Sequence, residues 1–123
     1  QSNTTGLLNT ALGHGTLKST ITTSNNTAVG AGAMFNTITG STNTIVGANA
    51  MSVGTTGSYN SALGYGALYN NTGNGNVALG YEALYNNTAN SNVAIGNFAA
   101  YSNTTGISIV AIGENSLLPD LQM

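Results

Sequence analysis

The sequence predicts an all-β protein, a parallel β-solenoid in which the chain winds through about seven similar coils of 16 or 17 residues. Three features predict it: a glycine that recurs at nearly constant spacing, a small apolar residue two positions before that glycine, and a polar turn-forming tract between successive units. The period is too short for two helices and their turns, which need roughly 33 to 34 residues in ankyrin or tetratricopeptide units. Each unit therefore fits two short strands with two turns, or one coil of a solenoid.

The glycine column is unbroken and aligns the units. Its members lie at intervals of 17, 17, 17, 16, 16 and 17 residues: Gly13, Gly30, Gly47, Gly64, Gly80, Gly96 and Gly113. Glycine adopts positive φ without a steric penalty, so this column predicts a corner in every coil. The one-residue deletions of the fourth and fifth units fall in the polar half, where a loop absorbs them.

An asparagine precedes the glycine by four positions in six of the seven units. These residues are Asn9, Asn26, Asn43, Asn60, Asn76 and Asn92, and Ile109 takes the place in the last unit. Coils that stack at about 4.8 Å superimpose identical residues. We therefore expect the asparagines to form a hydrogen-bonded ladder along the rod, as in cross-β stacks.

Two neighbouring columns predict which way each strand faces. The position two before the glycine is Ala in every unit except at Ile45, and the next position is always a larger aliphatic: Leu12, Val29, Val46, Leu63, Leu79, Ile95 and Ile112. Successive strand residues point to opposite faces, so the small residue faces a narrow interior and the large one faces outwards. A lone rod would expose an apolar stripe, which three rods around a common axis would bury. A wider monomeric coil is the alternative.

The composition limits the partners. Of 123 residues, 41% are hydrophobic and only 3% are charged, against about 25% in a typical domain. With Lys18 as the single Lys or Arg, we expect no nucleic-acid binding and no attraction to anionic membranes. No apolar run approaches the roughly 18 residues of a membrane span, and there is no cysteine for a disulfide or thiolate site. Near-zero charge suits a chain that assembles with itself.

The repeat resembles a known family. Asn92-Val93-Ala94-Ile95-Gly96 closely resembles the head repeat of trimeric autotransporter adhesins, the YadA-like head, and the longer form at 83–88 is similar to repeats of phage-type tail-fibre proteins. The resemblance spans roughly residues 1–118 and implies a left-handed parallel β-roll, a homotrimer around a fibre axis, and display outside a cell, at the cell surface or on a virion fibre. The departures are the longer period and the absence of a neck, stalk and membrane anchor.

We accordingly expect residues 1–118 to form a single solenoid domain and residues 119–123 to be a C-terminal tail or the start of a further segment. No polar cap protects the first or last coil in the sequence, and solenoids usually carry such caps. The chain is therefore interpreted as a piece of a longer fibre, or as a unit that stacks end to end.

An enzyme is not expected, and neither is a cofactor or a metal. Glu82 and Glu114 lie two coils apart, which separates them by about 10 Å, and they occupy different columns, whereas glycoside cleavage needs two carboxyls facing one bond. His14 has no second His and no Cys with which to bind a metal, and no context for a catalytic triad.

The tyrosines are the candidate ligand surface. Tyr69, Tyr85 and Tyr101 share one column, with Phe35 at the same place earlier, and Tyr65 and Tyr81 share another. Flat rings that carry hydroxyls suit a sugar, so a cell-surface glycan or protein receptor is the expected partner. The alternative is that the rings are structural ladders or lie in the trimer seam.

Two polar features offer further hypotheses. Five asparagines begin Asn-x-Ser/Thr sequons and are possible glycosylation sites, although the same residues are good turn formers: Asn3, Asn25, Asn70, Asn86 and Asn103. A threonine column that begins at Thr5 raises the possibility of an ice-binding surface, but glycine follows threonine in most coils and indicates a turn.

The function expected from the sequence is therefore a structural and adhesive segment of an extracellular fibre, either an adhesin head or a tail-fibre shaft. A self-assembling filament with no specific ligand is the first alternative, and an ice- or surface-binding solenoid is the second.

Overall fold

Seven three-residue strands, one in each repeat, form a single parallel sheet. The computed structural model describes residues 5–117. The strands are β1 (Thr10–Leu12), β2 (Thr27–Val29), β3 (Thr44–Val46), β4 (Ser61–Leu63), β5 (Val77–Leu79), β6 (Val93–Ile95) and β7 (Val110–Ile112). They are ordered β1 to β7, so each strand pairs with its neighbours in sequence. The described residues contain no helix, and the prediction of an all-β parallel solenoid is confirmed.

The pairing keeps identical repeat positions side by side. Ala28 pairs with Ile45, and Ala62 pairs with Ala78 across a 16-residue interval. The shorter coils thus leave the strand register intact. The missing residue is lost between Asn71 and Gly73, in the polar turn, where the chain runs across the surface.

The rest of each coil consists of consecutive turns, so each repeat is one coil of a solenoid with a single strand, and the alternative of two short strands per unit does not apply. In the second coil the Ala33 amide donates to the Gly30 carbonyl at 3.2 Å, and the Thr37 amide donates to the Met34 carbonyl at 3.4 Å. The second apolar patch cannot continue as a strand because its larger residue takes positive φ, between 48° and 57° in every coil: Leu17, Met34, Met51, Leu68, Leu84, Ala100 and Leu117.

The same Leu/Met column supplies most of the large apolar side chains of the core. Met34, Met51, Leu68 and Leu84 are all fully buried and pack between two columns of alanines. The interior is therefore wider than the alanines alone predict. A left-handed residue costs about 1 to 2 kcal/mol, and burial of a Leu or Met side chain returns about 1.5 to 3 kcal/mol, so the core offsets the strained corner.

The column of asparagines is buried and connects each coil to the next through two bonds. The Asn60 Oδ1 accepts a hydrogen bond from the Asn76 backbone N–H at 2.8 Å, and the Asn60 Nδ2 donates to the Gly73 carbonyl at 3.0 Å. The same pair of bonds recurs at Asn26, Asn43, Asn76 and Asn92. The ladder thus runs mainly from side chain to backbone. It satisfies buried backbone groups that lie outside the strands.

Two further ladders were not expected. Asn71, Asn87 and Asn103 form a second asparagine column, in which each Nδ2 donates to the Oδ1 of the preceding member at 2.8 and 3.0 Å. A third column comprises Ser24, Ser41, Ser58, Asn74 and Asn90. In this Ser/Asn ladder each side-chain oxygen accepts a hydrogen bond from a backbone N–H in the preceding coil. In the Asn60 ladder the side-chain oxygen accepts from a backbone N–H in the following coil.

The glycine corner is required by close approach as well as by φ. At Gly30, where φ is 128°, an added Cβ would lie 2.6 Å from the carbonyl carbon of Gly47 in the next coil. At Gly113, where φ is 116°, an added Cβ would meet no described atom within 4 Å. The two positions therefore separate the cost of the conformation from the cost of stacking.

Replacement of Gly30 with Ala should destabilise the rod more than replacement of Gly113 with Ala. We expect about 1 to 3 kcal/mol of conformational strain at either site, and about 1 to 3 kcal/mol more at Gly30 from the backbone clash. Chemical denaturation followed by circular dichroism measures both variants. Equal losses at the two sites would contradict the stacking constraint.

Candidate functional surfaces

The outer face of the sheet carries two parallel columns of exposed side chains. The first is the aliphatic stripe, defined as Leu12, Val29, Val46, Leu63, Leu79, Ile95 and Ile112, with Leu63 52% and Leu79 42% exposed. The second column changes along the rod, from Thr or Ser in β1 to β4 to Val in β5 to β7. Between them lies a shallow apolar groove of about 260 Å³, whose floor is Ala62 and Ala78.

The structure brings the five candidate tyrosines together as two stacked columns. The ring centroids of Tyr69 and Tyr85 are 4.7 Å apart with an interplanar angle of 4°, and those of Tyr85 and Tyr101 are 5.1 Å apart. Tyr65 and Tyr81 stack at 5.3 Å. Because the rings stack along the rod, most of their flat faces contact each other, while edges and hydroxyls face outwards.

Phe98 joins the two columns and was not selected from the sequence. It makes edge-to-face contacts with Tyr81 at 5.2 Å and with Tyr101 at 5.8 Å. A signal was present, because Phe98 occupies the repeat position that is glycine at Gly15, Gly32 and Gly66. Coils four to six therefore share one continuous aromatic surface.

Glu82 lies beside this aromatic surface and raises the pKa of Tyr81. Hydrogen bonding to the Glu82 carboxylate is the largest cause that raises the pKa of Tyr81 above its ordinary value of 10.0, and desolvation adds to it. Desolvation is the largest cause that raises the pKa of Tyr85, followed by the neighbouring Tyr69. Both phenols thus stay neutral over the physiological range.

The remaining charged groups are dispersed. The Lys18 ammonium lies 4.9 Å from the centroid of the Phe35 ring. Lys18 and Phe35 occupy consecutive coils in the same repeat column as Tyr69. Within residues 5–117, no three His, Cys, Asp or Glu side chains cluster closely enough to hold a metal ion. His14 and Glu114 are both exposed, at opposite ends of the rod.

The sequon asparagines do not share one edge. Asn25 is exposed, whereas Asn103 is partly buried and its Nδ2 donates to the Asn87 Oδ1 and the Gly106 carbonyl. Asn70 and Asn86 are also partly buried, and the Asn70 Nδ2 donates to the Asn86 Oδ1 at 3.0 Å. Asn3 lies outside the described residues. Asn25 is therefore the described sequon most open to a glycan.

The exposed threonine column comprises Thr5, Thr22, Thr39, Thr56, Thr72, Thr88 and Thr105. Its hydroxyls are partly engaged with the chain itself, since the Thr88 Oγ1 donates to the Thr104 carbonyl at 2.7 Å. Within the described residues this column lies in turns, outside the seven strands.

Comparisons with known proteins give no relative: no family model matches the chain, and neither a curated protein nor a solved structure matches it. Across the described residues, no helix is long and apolar enough to span a bilayer.

Replacement of Glu82 with Gln should lower the pKa of Tyr81 towards 10.0, because the negative acceptor that favours the neutral phenol is lost. A raised folded-state pKa means that the associated stability is complete below the unfolded pKa of about 10 and is lost as pH rises further. Spectrophotometric titration of the phenols measures the shift. Glu114→Gln is the matched control, and an identical titration of the two variants would contradict the assignment.

Proposed function

We propose that this chain is a rod-shaped structural segment of an extracellular fibre, which assembles through the outer face of its sheet and presents its aromatic surface for attachment. The observation that carries the proposal is the aliphatic stripe. It runs the length of the sheet with one member in every strand, of which four are exposed and Val29, Val46 and Ile95 are partly exposed.

The stripe supports assembly on energetic grounds. Complete burial of one Leu, Val or Ile side chain is worth about 1.5 to 3 kcal/mol, and the stripe members are already half-buried within the rod. Seven partial contributions in line add together, and they favour association to the extent that they exceed its entropic cost. Single exposed aliphatics are ordinary on protein surfaces, whereas a continuous stripe indicates an interaction site.

The number of rods and their location rest on the resemblance to trimeric autotransporter adhesins and tail fibres. Three rods with their stripes on one axis give a fibre whose outer surface is made of turns and aromatic columns. The near absence of charge supports close packing of identical chains, since there is little repulsion between them. The role that follows is display and adhesion.

The assembly prediction concerns Leu79. Leu79→Asn should weaken or abolish association, because it places an amide within the apolar seam. The matched control is Ile38→Asn, since Ile38 is 41% exposed but lies in a turn outside the sheet. Light scattering should give three times 12.3 kDa for the parent chain and for the control, and a smaller mass for Leu79→Asn.

A monomeric mass for the parent chain at micromolar concentration would contradict this assembly and favour the wider monomeric coil. A mass that grows steadily with concentration would favour the self-assembling filament. Thermal hysteresis in concentrated solution would favour an ice-binding surface.

A further inference from the structure

The column that contains Tyr69 is interrupted once, and the interruption leaves two aromatic faces unused. In order along the rod its members are Lys18, Phe35, Ser52, Tyr69, Tyr85 and Tyr101. Lys18 covers one face of Phe35, and Tyr85 covers one face of Tyr69. The other faces of Phe35 and Tyr69 both border the coil of Ser52. Among the described residues, no aromatic ring or cation stacks on either of these two faces.

The gap spans two coil steps. Adjacent rings of this column are one coil apart, 4.7 Å between Tyr69 and Tyr85, so Phe35 and Tyr69 are separated by two coil steps. A tyrosine fills the equivalent place in each of the next three coils. Ser52, which is 8% exposed, therefore forms the floor of a slot whose walls are aromatic.

Rings of this column lean over the coil before them, which identifies the rest of the slot. The Phe35 ring lies above Gly15, and the Tyr85 ring lies above Gly66. A ring at position 52 would lie above Gly32 in the same way. The Asn49 Oδ1 reaches this region, since it would be 2.6 Å from a Cβ built on Gly32, while its Nδ2 donates to the Tyr65 hydroxyl.

The polar groups of the slot are neutral. The Ser52 hydroxyl and the Asn49 amide are uncharged, and no acid or base among the described residues borders the gap, because the ammonium of Lys18 lies on the far side of Phe35. Two apolar faces combined with a few uncharged hydrogen-bonding groups are typical of small-ligand sites.

We propose that the slot between Phe35 and Tyr69 binds one neutral pyranose unit of a glycan. The C–H faces of the sugar pack against the two rings, and its hydroxyls bond to the Ser52 Oγ and the Asn49 Oδ1. This deepens the attachment role proposed above and rests on it. It locates attachment at the break in the aromatic ladder, because the stacked rings of coils four to six have already used their faces.

Ser52→Tyr tests the site by filling it with the ring that the column lacks. The probes are methyl pyranosides of neutral hexoses and p-cresol as a flat aromatic, observed by saturation-transfer nuclear magnetic resonance. We expect the parent chain to bind a pyranoside and Ser52→Tyr to bind it at least tenfold more weakly, because the new ring takes the space of the sugar and displaces the Asn49 amide. Val53→Tyr adds the same ring at the neighbouring exposed position and should bind as the parent does.

Ser52→Ala is the second variant, because it keeps the gap and removes only the hydroxyl. It should weaken binding by about fivefold, the effect of one neutral hydrogen bond. The inference is overturned if no pyranoside binds the parent chain, if Ser52→Tyr binds as well as Val53→Tyr, or if only p-cresol binds. A trimeric chain without pyranoside binding would remove the slot and leave the fibre proposal, whereas a monomer that binds would do the reverse.

Discussion

In-register stacking of identical coils is the constraint on which the rest of this structure depends. Parallel strands lie about 4.8 Å apart, so every atom of a coil meets its equivalent one step along the rod. The Asn60 type of contact uses this repetition, because one side chain accepts from the equivalent backbone N–H of the next coil. The glycine corner has the same origin, since a Cβ at Gly30 would meet the backbone of Gly47.

Each ladder satisfies a different set of backbone groups. The asparagines satisfy the buried turns, and the Ser/Asn column, which bonds in the opposite direction, satisfies the outer turn. The Leu/Met column fills the interior, and the burial of its side chains offsets the energetic cost of its left-handed backbone conformation. These positions all serve packing between coils, and the outer sheet face and the aromatic columns are the surfaces that remain. In each coil they lie on either side of the glycine corner along the chain.

The sequence predicted the parts of the fold that repetition makes visible. Glycine, asparagine and the aliphatic stripe are each a column of one residue type, so their spacing gives both the coil and the direction of the strand. The sequence left open whether the second apolar patch is a strand, because Ala-Leu and Ala-Met have no feature that indicates positive φ at Met34 or Leu68. The positive φ is required only because the chain must turn at this position to close the coil.

The candidate surfaces were predicted less completely. The stacking of Tyr69 on Tyr85 followed from the period, but the bridge through Phe98 did not, because it joins two different columns. The break at Ser52 has meaning only once the neighbouring rings are known to stack. The sequons do not repeat with the coil, since Asn25 lies two residues before strand β2 whereas Asn70 lies seven residues after strand β4.

The central claim is that rods meet through the outer sheet face. The chain contains no cysteine, so a single introduced cysteine carries a unique spin label. Ser61 lies exposed on that face, and Thr72 lies exposed in the polar turn. Packed sheet faces are about 10 Å apart, so dipolar spectroscopy should give a shorter distance between chains for labels at Ser61 than at Thr72. No coupling at Ser61, or a shorter distance at Thr72, would contradict the account.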